Sequence, residues 1–304
     1  MRAQLFILLL LGVLSSCQRS DSLRICSLYT GNDYDKNSTE LWEERRSTIE
    51  ALVRSHKFDI VAMQEVNFER FYSLQATLTD YESVIGDAEE RTDIEELAPI
   101  FYDSEKFLLL AKSQFWLSET PDLPGSKSWG AIFPRITTWV KLQNKISGHI
   151  FFIFNTHFCH LNEDAQLKSA VLNLKKIHEI AGDAPVIVTG NFNAALNSPV
   201  ELLLTSNWNR FHSLQNSSRL VKPKKQAATN NRRSKRFVPT RHTDHILINS
   251  YFNVQAFKPI QSEELEELFT GHRPVYVQIK YLFERIPRNG ELRLPPWEDR
   301  PIVQ

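Results

Sequence analysis

The chain has no excess of charge of either sign. It contains 36 Lys and Arg residues and 36 Asp and Glu residues, so its formal net charge at pH 7 is zero. A strongly basic or acidic protein attracts nucleic acid, membranes or charged substrates over its whole surface. This sequence excludes such global attraction, so any charged partner must be bound by a local site.

Cysteine is scarce. The chain has three, and one of them, Cys17, lies near the N-terminus. Cys26 and Cys159 lie in apolar, strand-like segments, where buried free thiols are common. The two could pair in an oxidising compartment, but we expect no disulfide between them.

A long hydrophobic run is also missing. The most apolar segment, Leu5–Leu14, follows Arg2 and is shorter than the roughly 20 residues that a membrane-spanning helix needs. A positively charged start, a short apolar core and small residues after it are typical of a signal peptide. We therefore expect residues 1–16 to be a signal peptide.

The segment Leu14-Ser15-Ser16-Cys17 resembles the bacterial lipobox, in which the cysteine becomes the acylated N-terminus of the mature protein. Acyl chains on Cys17 would hold the protein on a membrane surface without a spanning helix. Gln18 in place of aspartate indicates the outer membrane if the host is Gram-negative. A lipid-anchored protein of the cell envelope is thus predicted. The alternative is an ordinary secretory signal that is cleaved near Ser16.

The remaining chain is long enough to form one large domain. Hydrophobic residues make up 42% of the sequence, which is enough to fill a single core. No internal repeat is visible. We predict one domain over residues 17–283 and an extended surface tail over residues 284–304, which are rich in proline and charge. We expect a monomer.

Strand-like and helix-like segments alternate along this domain. Amphipathic helices are predicted over Trp42–Ser55 and after Asn162, which caps a helix that Gly182 ends. Strands outnumber helices, and several neighbours are hairpin-like. The predicted fold class is therefore α/β (α+β), with two packed mixed sheets flanked by helices. The predicted strands are Leu23–Leu28, Asp59–Met63, Ile100–Tyr102, Phe107–Leu117, Ile136–Leu142, Ile150–Thr156, Val186–Val188, His245–Ile248 and Val275–Ile279.

Polar residues collect where these strands end. Each of them alone has an ordinary explanation, because a histidine beside a strand is usually a satisfied structural group. Together, after separate strands, they predict one cleft. They are Glu65, Tyr102, His157, Asn191, Asn193, Asp244 and His272.

Seven segments of the chain occur in a characteristic order: DIVAMQEV, FWLSETPDLPGSKSW, PRITTWVKL, NTHF, PVIVTGNFNA, TDHILIN and GHRPV. Together they make the chain resemble the endonuclease/exonuclease/phosphatase superfamily of DNase I-like proteins. They cover roughly residues 23–281. The resemblance implies a four-layer sandwich, with two mixed sheets face to face and an active site at the top that binds Mg²⁺ and cleaves phosphate esters.

The resemblance also implies roles for five residues of this chain. Glu65 matches the glutamate that binds the metal, His157 the histidine that contacts the phosphate, and Asn193 the asparagine that orients a base. Asp244 and His272 match an aspartate–histidine pair that stabilises developing charge.

Other positions depart from the family pattern. Asn191 stands where the family has the aspartate that activates water, and Gly271 stands where it has an aspartate before the final histidine. Tyr29 replaces an asparagine near the metal, although Asn32 is close enough to compensate. Gly130 follows GSKSW where close relatives tend to have an acidic residue. These changes remove negative charge that Mg²⁺ requires.

The departures predict weakened or lost hydrolysis, with Mg²⁺ binding that is also weak or lost. A general base contributes ~10²–10⁴-fold, and a bound metal stabilises charge further. The alternative is an active Mg²⁺-dependent phosphodiesterase, phosphatase or nuclease with a rebuilt site. In that case Glu65 holds one metal, or another carboxylate such as Asp33 or Asp103 takes part. Under both interpretations the expected ligand is a phosphate ester.

A basic segment, Lys222–Arg236, precedes the strand that contains Asp244 and carries seven positive charges. We expect it to be a solvated insertion, as most charge runs are. Alternatively, it could bind the phosphates of nucleic acid or acidic lipid headgroups. It has no interleaved aromatic residues, so a base-stacking surface is not expected.

Overall fold

A computed structural model describes residues 22–31, 38–86, 96–206, 213–221, 243–260 and 272–282, and these ranges form two six-stranded sheets. The first sheet has the strand order β11-β12-β1-β2-β4-β3. Its strands are β1 (Ser22–Tyr29), β2 (Ile60–Gln64), β3 (Tyr81–Val84), β4 (Ile100–Asp103), β11 (Phe252–Pro259) and β12 (Val275–Tyr281).

The second sheet has the strand order β5-β6-β7-β8-β10-β9. Both sheets are mixed, because β1 runs parallel to β2 and β7 runs parallel to β8, whereas most other pairs are antiparallel. The strands of this sheet are β5 (Phe107–Trp116), β6 (Ile136–Asn144), β7 (Ile150–His157), β8 (Val186–Asn191), β9 (Gln215–Asn216) and β10 (Asp244–Ile248).

Within the described ranges, four α-helices cover the outer faces of the sheets. They are α1 (Ser38–His56), α2 (Phe68–Thr77), α3 (Glu163–Ala181) and α4 (Pro199–Thr205). One apolar cluster joins α1 and α2 to the first sheet, another joins α3 and α4 to the second, and a third lies between the sheets. The result is the predicted four-layer sandwich, in which each large apolar side chain that is buried contributes roughly 2 kcal/mol.

Helix α3 shows how local signals place one of these elements. Its N-cap is Asn162, whose side chain accepts a hydrogen bond from the backbone N–H of Ala165, and its C-cap is Gly182. Ala170, Leu174 and Ile177 are buried on one face, as the spacing predicts. The other predicted strands and the first helix are also present, with ends that differ by a few residues.

Five elements were missed by the sequence analysis: α2, α4, β3, β9 and β11. Three of them have seven residues or fewer, too few for periodicity to be informative. Strand β11 has an irregular burial pattern because a bulge lies between Val254 and Ala256.

A buried polar contact joins the two sheets next to the strand ends. The side-chain amide of Gln64 on β2 donates to Asn155 Oδ1 on β7 at 2.7 Å. Asn155 Nδ2 in turn donates to the carbonyl oxygens of Met63 at 2.7 Å and Pro99 at 3.0 Å. Because Gln64 precedes Glu65 and Asn155 lies two residues before His157, this contact sets the spacing of the two sheet ends where those residues lie.

Cys26 and Cys159 are both buried free thiols. Burial raises the pKa of Cys26. No helix in the described ranges is both long and apolar enough to cross a membrane.

Several of the predicted features lie outside the described residues. They are the signal peptide with Cys17, the segment containing Asn32 and Asp33, the basic segment Lys222–Arg236, Gly271 and the tail over residues 284–304.

Candidate active site

Strand register places three of the predicted residues side by side. His157 is the Cα partner of Asn191 in the parallel β7–β8 pair, and Asn191 is the partner of Asp244 in the antiparallel β8–β10 pair. Gly190 permits this close alignment: its φ is +147°, and a Cβ there would lie 1.9 Å from the carbonyl oxygen of Thr156. No other residue type fits this position.

Glu65 follows the last residue of β2 and has a left-handed backbone with φ +57°. The hydroxyl of Thr30 stabilises this turn by donating to the carbonyl oxygens of Gln64 at 3.0 Å and Glu65 at 2.9 Å. The hydroxyl of Tyr29 donates to Glu65 Oε2. Burial and the charge of Glu65 raise the pKa of Tyr29, so the phenol keeps its proton.

His157 is oriented by a carboxylate that the sequence analysis missed, Glu96. Nδ1 of His157 contacts Glu96 Oε1, and Glu96 Oε2 accepts from Arg135. Arg135 Nη1 also lies 2.9 Å from this Nδ1. The contact with Glu96 is a hydrogen bond when Nδ1 carries the ring proton, because a carboxylate only accepts. Burial by itself would raise the pKa of Glu96, but His157 and Arg135 outweigh it and lower the pKa below its ordinary value.

Arg135 is buried, and it also reaches a second histidine at the mouth of the cleft. Its Nη2 lies 3.3 Å from His160 Nδ1. Since a guanidinium only donates, His160 must accept at Nδ1 and carry its proton on Nε2. Burial and the nearby Arg135 lower the pKa of His160, which favours this neutral form.

Asn193 lies in a tight turn after β8, with φ +48°. Its backbone N–H donates to Asn191 Oδ1 at 2.8 Å, and its Nδ2 lies 3.1 Å from His157 Nε2 and 2.8 Å from the carbonyl oxygen of Phe158. Asn191 is buried, and its Oδ1 is the acceptor that closes this turn. An amide oxygen can do this as well as a carboxylate can, but it cannot take a proton at neutral pH.

His272 and Asp244 form a second histidine–carboxylate pair. His272 Nδ1 donates to Asp244 Oδ2 at 2.9 Å. Burial lowers the pKa of His272, but Asp244 and Glu65 outweigh it, so the pKa is raised above its ordinary value. The ring of Tyr29 stacks on His272 with centroids 4.2 Å apart, which favours the charged imidazole further.

Three side chains of the site could hold a divalent cation. Ligand atoms of Glu65, Glu96 and His157 lie within 4.8 Å of one another. Both oxygens of Glu96 accept from His157 and Arg135, and Glu65 Oε2 accepts from Tyr29. Glu65 Oε1, which lies 4.0 Å from His157 Nε2, is the carboxylate oxygen that remains available to a cation. The residues therefore fit a cation held by one carboxylate oxygen and water, which is a coordination that Mg²⁺ accepts.

Two residues predicted near the site lie elsewhere, because β4 runs antiparallel to β2. Tyr102 is the Cα partner of Ile60, at the opposite end of β2 from Glu65, and it donates to Glu82. Asp103 lies at the same end and pairs with Lys106. Tyr102 therefore does not belong to the cleft, and Asp103 cannot substitute for the missing base.

Gly130 also has a local reason to be glycine. Its φ is +77°, and a Cβ would lie 2.7 Å from Asn162 Nδ2, the cap of α3. An acidic residue at this position would strain the backbone and disturb that helix start. Of the other predicted site residues, Glu65, His157, Asn191, Asn193, Asp244 and His272 are connected through these contacts, directly or through Tyr29.

Comparison with known proteins agrees with this architecture. A model of the endonuclease/exonuclease/phosphatase family matches residues 28–264. The structure of an endonuclease/exonuclease/phosphatase from Bacteroides vulgatus is similar, with a TM-score of 0.76 at 28% identity, covering 86% of this chain and 99% of that one. A mannosyl-6-phosphatase from Bacteroides thetaiotaomicron has a TM-score of 0.73 at 28% identity, covering 85% of this chain and 100% of its own.

A nuclease is also similar over a shorter stretch. The CCR4-Not 3′-5′-exoribonuclease subunit Ccr4 of Aspergillus terreus is 31% identical over 133 residues. The match covers 38% of this chain and 20% of that protein, so this chain spans about a fifth of the nuclease.

Proposed function

Since the chain belongs to the endonuclease/exonuclease/phosphatase family, we propose that its cleft binds a small phosphomonoester and hydrolyses it weakly with the help of a divalent cation. The observation that carries this proposal is the convergence of two histidine–carboxylate pairs, His157–Glu96 and His272–Asp244, beside Glu65. A monoester is supported by the similarity to the mannosyl-6-phosphatase, which is 28% identical and covers 85% of this chain.

The phosphate would be bound by groups that donate or carry positive charge. His272 uses Nδ1 for Asp244, which leaves its Nε2–H for a phosphate oxygen. His160 also presents an Nε2–H, because its Nδ1 accepts from Arg135 and its proton therefore lies on Nε2. Such prearranged donors stabilise a developing phosphate charge without reorganisation during the reaction.

Glu65 would hold the divalent cation through Oε1. When bound, the cation polarises the phosphoryl group and offsets part of its negative charge. The contact between Tyr29 and Glu65 Oε2 leaves the carboxylate with fewer free lone pairs, and for this reason we expect cation binding to be weak.

Weak hydrolysis follows from Asn191. The residue keeps the hydrogen bond to Asn193, so the turn is intact, but the amide cannot remove a proton from the attacking water. Loss of a general base costs ~10²–10⁴-fold in rate. Binding of the phosphate does not need this base and should survive.

Asn191→Asp tests the proposal, because Asp and Asn are nearly isosteric. We expect turnover of p-nitrophenyl phosphate at saturating Mg²⁺ to rise by roughly 10²-fold or more. Asn162→Asp adds the same charge at the cap of α3, where Asp also caps well, and should leave turnover unchanged. Glu65→Gln should abolish the gain.

Two outcomes would contradict the proposal in different ways. A fall from a clearly measurable wild-type rate would mean that Asn191 belongs to a rebuilt, fully active site. No gain in a folded Asn191→Asp variant, even when Tyr29→Asn is added to free Glu65, would mean that the missing base is not what limits the reaction.

We also propose that the protein is a lipoprotein anchored in the cell envelope through Cys17. The motif Leu14-Ser15-Ser16-Cys17 supports this. Cys17→Ser should move the protein from the membrane fraction to the soluble fraction, as measured by fractionation and immunoblotting of the native host. A variant that stays with the membranes after a high-salt wash would exclude the lipid anchor.

A further inference from the structure

A cavity of about 310 Å³ adjoins the candidate active site. It lies between the first turns of α3 and the segment Asn193–Val200, which connects β8 to α4. Asn193 lines it and also lies 3.1 Å from His157 Nε2 through its Nδ2, so the cavity and the cleft share this residue. Its volume is at the lower end of the ~300–1,000 Å³ typical of pockets for small molecules.

A glutamine whose amide is held in one orientation gives this cavity an acceptor. Gln166 is only 7% exposed, and its Nε2 donates to the carbonyl oxygens of Cys159 at 2.7 Å and Asn193 at 3.4 Å. These bonds fix the orientation of the amide, yet no donor among the described residues reaches its Oε1. An acceptor held in one orientation suits a donor from a ligand, and hydroxyl groups would supply one.

Two more polar groups line the same cavity. Asn193 Oδ1 has no donor within the described part of the chain. The hydroxyl of Ser198 accepts from the backbone N–H of Glu201 at 3.3 Å, so its own hydrogen remains for a ligand acceptor. This combination of acceptors and a donor suits hydroxyl groups, which both donate and accept.

The rest of the lining excludes other ligand groups. None of the residues that line the cavity is basic, and Glu163 is the charged residue among them, so the lining offers no cationic side chain to bind a phosphate. None is aromatic, so a nucleobase would lack the stacking partner that usually holds it. Leu167, Leu196 and Pro199 offer aliphatic surface on which the C–H face of a sugar ring can pack.

The lining is preorganised at its far end. The backbone N–H of Asn197 donates to Glu201 Oε2 at 3.0 Å. Arg219 then donates to Asn197 Oδ1 at 2.7 Å and to Glu201 Oε2 at 2.8 Å. A segment held by charged hydrogen bonds at this end and by Gln166 at the other loses little entropy when a ligand binds.

We propose that this cavity is the subsite for the neutral, hydroxyl-rich part of the phosphate ester, and therefore that the substrate is a sugar phosphate. The sugar would contact Gln166, Asn193 and Ser198, and its phosphate would lie at His160 and His272. The assignment of the phosphate rests on the proposed function, whereas the sugar subsite rests on the cavity itself.

Binding measurements test the subsite without requiring hydrolysis. By calorimetry with Mg²⁺ present, glucose 6-phosphate should bind about tenfold more tightly than inorganic phosphate, as one or two additional hydrogen bonds predict. Adenosine 5′-monophosphate should not show this gain. Leu196→Trp, which fills the cavity, should remove the gain and leave phosphate binding unchanged. The matched control, Leu202→Trp, alters an exposed leucine of α4 outside the cavity and should keep the gain.

Methyl glucoside separates failure of the subsite from failure of the phosphate site. At high concentration it should shift the NMR signal of the Gln166 side-chain amide in wild type and in Leu202→Trp, but not in Leu196→Trp. If this shift occurs and no phosphate compound binds, the proposed function is wrong and the sugar subsite stands. Three results would overturn the sugar assignment. They are the absence of this NMR shift, a gain in affinity for glucose 6-phosphate in Leu196→Trp that equals that of wild type, and a larger gain with adenosine 5′-monophosphate.

Discussion

Single atoms at a few residues decide the chemistry of this cleft. Asn191 differs from aspartate by one heavy atom and keeps the hydrogen bond to Asn193, so the structural role survives while the basic one is lost. The hydroxyl of Tyr29 similarly takes one oxygen of Glu65. Both residues preserve the shape of the site and reduce its capacity for proton transfer and cation binding.

Arg135 connects one carboxylate and two histidines of the site. It is 4% exposed and contacts Glu96, His157 and His160. Glu96→Gln would leave this buried cation without its carboxylate partner, and we expect the free energy of unfolding in urea to fall by about 3 kcal/mol. The matched change Arg135→Gln should destabilise the protein to a similar extent.

A double-mutant cycle shows whether the two side chains act as a pair. Glu96→Gln combined with Arg135→Gln should cost less than the sum of the single changes by at least about 1 kcal/mol. Additive losses would mean that the pair does not stabilise the fold and that Arg135 is held by other contacts.

At the scale of elements, β10 serves both the site and the core through alternate residues. Asp244 holds His272 in the cleft, and the next residue, His245, points to the opposite face of the sheet. There its Nε2 donates to the carbonyl oxygen of Ala194 at 2.8 Å, and its Nδ1 accepts from Asn216 at 3.0 Å. Asn216 cannot reverse its amide, because its Oδ1 accepts from Ser218.

This arrangement predicts that mild acid destabilises the fold. Burial lowers the pKa of His245 below its ordinary value of 6.5. Below pH 6.5, His245 therefore binds a proton in the unfolded chain but stays neutral in the folded protein until its lower pKa is reached. Stability from this residue is fully present above pH 6.5 and falls by roughly 1.4 kcal/mol per pH unit until the folded pKa is reached.

His245→Gln isolates this contribution, because Gln Nε2 can still donate to the carbonyl oxygen of Ala194. The other histidines contribute equally to the stability of wild type and variant, so their effect cancels when the two are compared. Above pH 7 the variant should be less stable than wild type by about 1 to 2 kcal/mol. The difference should shrink as the pH falls from 6.5 to 5, as measured by urea unfolding at each pH. Parallel curves over this range would show that His245 does not titrate with unfolding.

At the scale of the whole molecule, the cleft exists because two sheets end at the same level. Glu65 and Tyr29 come from the first sheet, and His157, Asn191 and Asp244 from the second. The contact between Gln64 and Asn155 is buried and lies directly below them. An unpaired amide there would be costly, so this contact favours one relative position of the sheets and hence one geometry of the site.

The sequence by itself determined most of the elements, and it predicted six residues that the structure brings together in one cleft. Strands such as Ile150–His157 and the capped helix α3 follow from local apolar patterns and end residues, which act over a few positions and are visible in a linear chain. The resemblance to a known family then pointed to Glu65, His157, Asn193, Asp244 and His272, and drew attention to Asn191.

Only the tertiary structure decided which other residues join them. Glu96 directly follows Glu95 and lies three positions after Asp93, and nothing local distinguishes it from these other acidic residues. Its partners Arg135 and His157 are 39 and 61 positions away. Tyr102 ends a strand as His157 does, but β4 is antiparallel to β2 and carries it to the far end of the sheet. Strand direction and long-range pairing are set by the packing of the whole chain, so no local pattern could have separated these residues.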